Sequence, residues 1–80
     1  MDIKKFIGKS VRYDREGQQI YNADDNQLLL DVRGWGAIQN LFADKKGKID
    51  INKAGDFQDD FGQFITDAIN EKLNKINGVL

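Results

Sequence analysis

Between Phe57 and Ile76 the apolar residues Phe57, Phe61, Phe64, Ile65, Ala68, Ile69, Leu73 and Ile76 recur at spacings of three and four, which stacks side chains along one face of an α-helix. At about 100° per residue they sweep an arc of roughly 180°, wider than the usual core-facing stripe. The spacing predicts a long amphipathic helix that begins between Lys53 and Phe57, with Asn52 or Asp56 as its cap. Gly78 and Val79 suit a left-handed closure that folds Val79 back onto Leu73. Asp56, Asp59 and Asp60 at its start and Lys72 and Lys75 at its end each match the helix dipole.

Upstream, Ile3, Phe6 and Ile7 lie at i, i+3 and i+4, a short helix that Asp2 would cap and Gly8 would end. Val11 to Tyr13 reads as extended. Residues 14–17 form a turn with Gly17 at the left-handed position, and Gln18 to Asn22 is the return strand. A second turn at Asp24, Asp25 and Asn26 leads into Gln27 to Arg33. There Leu28, Leu30 and Val32 alternate with Leu29, Asp31 and Arg33, so the Leu28/Leu30/Val32 face is expected to receive the long helix. Gly34 and Gly36 around Trp35 end the sheet, Ala37 to Ala43 forms a short helix with Ile38, Leu41 and Phe42 on one side, and Ile49 and Ile51 alternate in a short extended piece. The expected architecture is α+β: a three-stranded antiparallel β-meander packed against one long C-terminal amphipathic helix, with one or two short helices, in a single domain over residues 1–80.

Composition narrows the chemistry. The chain has 80 residues, 40% hydrophobic and 31% charged, with five Phe, two Tyr and one Trp to build a core, so disorder is not expected. It contains no Cys and no His, which removes disulfides, thiolate zinc sites, and the commonest general base and transition-metal ligand. Ser10 and Thr66 have no His to activate them. The expectation is a non-enzymatic protein with no cofactor and no metal. Asp44, Gly47 and Ile49 are spaced like the third, sixth and eighth positions of a calcium loop, but that register puts Phe42 first and Lys53 twelfth, where oxygen ligands are required, so the segment is a turn. Asp24 and Asp25 read as a solvated turn.

No apolar run approaches the roughly 20 residues that cross a bilayer, and no secretory segment is visible, so a cytoplasmic protein is expected with no membrane partner. The net charge of −1 leaves only local patches informative. Lys4, Lys5, Lys9, Arg12 and Arg15 give the first fifteen residues a surplus of three positive charges over Asp2 and Asp14. Arg12 and Arg33 are expected to share the sheet face away from the helix. With Tyr21 they would form a stacking-and-phosphate surface, although single-strand binders usually carry a clear positive excess. On the long helix, Asp56, Asp59, Asp60, Asp67 and Glu71 form a polar side that suits a basic partner or simply keeps the helix solvated. Trp35, two residues from Arg33, is either a core plug or an anchor for a partner's pocket. The reading is a small interaction protein whose partner is another protein, a second copy included, and whose size and composition would suit a phage or mobile-element accessory protein or inhibitor. The alternative is a nucleic-acid binder using the N-terminal basic residues and Arg33.

Overall fold

The computed structural model describes residues 3–76. The Asp2 cap, the Lys4 side chain and the Gly78–Val79 closure lie outside the described residues. The elements are α1 (Ile3–Ile7), β1 (Val11–Asp14), β2 (Gln19–Asn22), β3 (Leu28–Asp31), α2 (Gly36–Leu41) and α3 (Ile51–Ile76). The fold is α+β: an antiparallel sheet in the order β1-β2-β3, with α3 packed chiefly on β1 and α2 alongside α3.

The hairpin pairs Val11 with Asn22, Arg12 with Tyr21, and Tyr13 with Ile20. Its left-handed residue is Gln18, at φ 52°, and not Gly17. Gln18 is held there by α3, since its side-chain oxygen accepts a 2.9 Å bond from Gln58. Asn22 is buried and its carboxamide oxygen accepts from the Asp24 backbone N–H at 2.8 Å, which folds the second turn.

Two expectations about facing are corrected. Between Ile20 and Tyr21 the β2–β3 register slips by a bulge, and an extra residue there resets the alternation. Leu29 therefore packs against the core of Val11, Ile20 and Val32, while Leu28 and Leu30 each stay about half exposed. Only Val32 of the expected Leu28/Leu30/Val32 face is fully buried. The long helix also starts earlier than expected: Ile51 is helical, not extended, and the cap is Asp50, whose carboxylate accepts from the Lys53 N–H at 3.1 Å.

What α3 buries is the larger surprise. Its buried residues are Ala54, Gln58, Gly62, Thr66 and Leu73, with Ile65 and Ile69 partly covered. Small side chains are required because Tyr13 lies flat on the helix: a Cβ placed on Gly62 would sit 2.2 Å from Cε1 of the Tyr13 ring. The same tyrosine donates its hydroxyl to Asp59 at 2.7 Å. Further along, Asn70 accepts from the Val11 N–H at 2.8 Å and donates to the Val11 carbonyl at 2.9 Å. Thr66 satisfies its own hydroxyl by donating to the Gly62 carbonyl at 2.9 Å. Asp59, expected on the outer polar side, instead turns inward, where it also meets Gln18 and lies 3.7 Å from Arg15.

Two glycines of α3 should respond in opposite directions to alanine. At Gly62 the clash with Tyr13 outweighs the gain in helix propensity, so Gly62→Ala should lower stability by about 1–3 kcal/mol. At Gly55 a Cβ meets nothing within 4 Å, so Gly55→Ala should raise it by about 0.5–1 kcal/mol. Urea unfolding of the two variants against wild type measures both.

Burial first, then the hydrogen bond to Asp59 and the charge of that carboxylate, raise the Tyr13 phenol well above its ordinary value of 10.0. The folded chain holds this proton more tightly than the unfolded chain, so the stabilisation is complete below about pH 10 and is lost as pH rises through the folded-state value. The urea midpoint of the wild type should therefore fall above about pH 10 more steeply than that of Tyr13→Phe. Parallel slopes for the two proteins would contradict the assignment.

Candidate functional site

Two surfaces gather the residues singled out from the sequence. The first is the sheet face away from α3, built by the register that puts Arg12 opposite Tyr21. The Arg12 guanidinium lies 4.8 Å from the centre of the Tyr21 ring and donates to the Asn26 side-chain oxygen at 2.8 Å. Tyr21 donates its hydroxyl to Gln19, and Gln19 in turn donates to Asp31 at 3.3 Å. Arg33 closes the chain of contacts: it grips Asp31 through Nη2 at 2.6 Å and Nε at 3.0 and 3.1 Å. Those side-chain bonds, followed by the Arg33 backbone amide, hold the Asp31 carboxyl well below the usual carboxylate range. Arg12, Tyr21 and Arg33 are thus brought into one network, but Arg33 spends its Nε/Nη2 edge on a carboxylate. A phosphate would have to displace Asp31 to use that two-toothed edge.

The second surface is the outward side of α2 and α3. Gly34, at φ 67°, turns the chain so that Trp35 leaves β3 and rests on α3. Its ring meets Phe61 edge-on at 5.4 Å, while 38% of the residue stays exposed. Trp35 is therefore neither a core plug nor a free anchor; it is half-docked on the helix. Phe61 is followed by Phe64 at 6.5 Å, and Phe42 of the loop after α2 lies 5.7 Å from Phe57. Phe57 and Phe61 are one turn apart and so adjacent. The rings make one continuous band from Phe42 to Phe64, with Trp35 beside it.

This band contains residues expected in the core. Phe64 is 68% exposed and Leu41 66%, so the expected inward positions of Phe64, Phe57 and Leu41 are corrected. Ile38 alone of the α2 trio is buried, with Phe42 half-buried. The signal was present in the sequence, because a 180° apolar arc is broader than one sheet face can cover. Asp56, Asp60 and Asp67 are exposed along the other border of the band, and only Asp67 takes a side-chain hydrogen bond, from Gln63 at 2.9 Å.

A cleft of about 650 Å³ opens where the loop after α2 meets the first turn of α3, lined by Leu41, Phe42, Asp44, Lys48, Ile49 and Asp50 among others. Its two carboxylates are committed to the backbone. Asp44 accepts from the Lys46 and Lys48 amides at 2.8 and 2.9 Å, and Asp50 caps α3. Among the described residues no group of three or more Asp and Glu is placed to hold a metal ion, and none of their helices is long and apolar enough to cross a membrane. Compared with known proteins, the chain matches no family model, no curated sequence and no solved structure.

Proposed function

We propose that this chain is a small non-enzymatic binding protein that acts by protein–protein contact through the aromatic band of α2 and α3, as an accessory or inhibitory partner. The observation that supports it is an inversion of size on α3. Ala54, Gly62 and Thr66 take the buried positions, while Phe57 and Phe64 face out. A continuous exposed apolar patch of this kind marks interaction sites in soluble proteins, and Phe and Trp are enriched at interface centres. The lack of any His or Cys supports the non-enzymatic part of the reading. Phe64→Asp removes the most exposed ring of the band without touching the core, so its urea midpoint should shift by no more than about 0.5 kcal/mol equivalent. In affinity capture it should lose at least about tenfold of the bound partner, as truncating an aromatic anchor of an interface does. Equal capture by the variant and the wild type would sink the reading.

Arg12 stacked over Tyr21 favours a second reading, single-strand nucleic-acid binding on the sheet face. It predicts a band shift at low salt that weakens steeply with added salt and is lost in Arg12→Ala. No shift at low salt removes it.

A further inference from the structure

Resting on the protein-contact reading of the same band, we infer that its occupant is a basic amphipathic helix: a segment with apolar residues at i, i+4 and i+7 and Lys or Arg along one border. The apolar part of the fit is set by Phe57, Phe61 and Phe64, which span seven residues, or about 10 Å of helix. Trp35 stands against Phe61 at the side of the same surface. An exposed apolar face of this composition receives the apolar stripe of a helix.

Charge decides which helix. Asp60 lies three residues after Phe57 and four before Phe64, and Asp67 lies three after Phe64, so both are surface neighbours of the band. Asp56 and Glu71 extend the same border by one turn each way. Between Lys53 and Lys72 the helix carries five carboxylates and no cation. Asp59 is the one turned inward, and among the described residues no ion pair reaches Asp56, Asp60 or Asp67. Glu71 is paired with Lys75 at 3.6 Å, so the uncompensated row of negative charge runs from Asp56 to Asp67, about 16 Å. A second copy packed antiparallel on this face would set its own carboxylate row against the first, a like-charge contact that disfavours pairing. A helix with a lysine or arginine border is attracted instead.

The test uses the intact chain and two synthetic amphipathic peptides of about 18 residues with the same leucine stripe, one with lysine and one with glutamate on the border. Trp35 is the single tryptophan of the chain and reports binding by its emission. The lysine peptide should shift Trp35 emission to the blue and bind at least about tenfold more tightly than the glutamate peptide, a ratio that shrinks toward one in Asp60→Asn/Asp67→Asn and at high salt. Phe64→Gln should weaken the lysine peptide by a similar factor. Equal affinity for the two peptides, or full binding by Phe64→Gln, overturns the inference. So does a light-scattering mass of twice the 9.1 kDa chain that Phe64→Gln returns to one, since a second copy would then cover the band. Failure of both peptides while Phe64-dependent capture of another protein persists overturns the basic-helix inference and leaves the protein-contact reading standing.

Discussion

The approach of α3 to the sheet is limited by one contact, the Tyr13 ring lying on the backbone of Gly62. A phenol ring pressed against a helix leaves no room for side chains on that line, so the helix must present hydrogen atoms, methyls and slender polar groups there. Ala54, Gln58, Gly62 and Thr66 meet that demand. Around the contact, polar groups do what bulk apolar packing does elsewhere. The Tyr13 hydroxyl bonds Asp59, Gln58 bonds Gln18, and Asn70 bonds both backbone groups of Val11. Each is buried or half-buried, and no buried side-chain polar atom among the described residues lacks a partner. Such bonds add little net energy each but are costly to break, so they fix where the helix sits more than how strongly it adheres.

This close, polar mode of packing accounts for the outer surface. A helix has a single circumference; if its small residues are spent under Tyr13, and Ile65, Ile69 and Leu73 take the rest of the inward face, its aromatic residues must go elsewhere. Phe57, Phe61 and Phe64 lie on the flank that α2 only partly covers, where Trp35 and Phe42 reach them. Core and band are therefore two consequences of the same geometry, and among the described residues the largest fully buried side chains are Ile20, Val32 and Thr66.

Much of the fold was legible in the sequence because it rests on local rules. Asn and Asp in turns, glycine at helix ends and alternation in the hairpin each act over a few residues, and the six elements appear in the expected order. What was not legible depends on contacts distant along the chain. The bulge that turns Leu29 inward is set by pairing with Ile20 and Tyr21. The inward turn of Asp59 is set by Tyr13, which lies 46 residues earlier. The start of α3 at Ile51 was hidden because its first turn, capped by Asp50, is followed by Gly55, so no apolar period announces it. Of the residues singled out, Arg12, Tyr21 and Arg33 do share one network, and Asp56, Asp60 and Asp67 do share one border. The aromatic band was missed because hydrophobicity alone does not say which apolar residues fit under a tyrosine ring.

Asn70 has an effect that reaches past the single molecule. A strand on the border of a sheet offers free N–H and C=O groups on which a neighbouring chain can add a strand of its own. At β1 the carboxamide of Asn70 occupies both groups of Val11, standing in for a fourth strand. β3 forms the opposite border of the three-stranded sheet. Sheet growth from molecule to molecule needs two open borders, one to receive and one to offer. With the Val11 groups closed by a side chain, the β1 border is a poorer template for such growth at that residue.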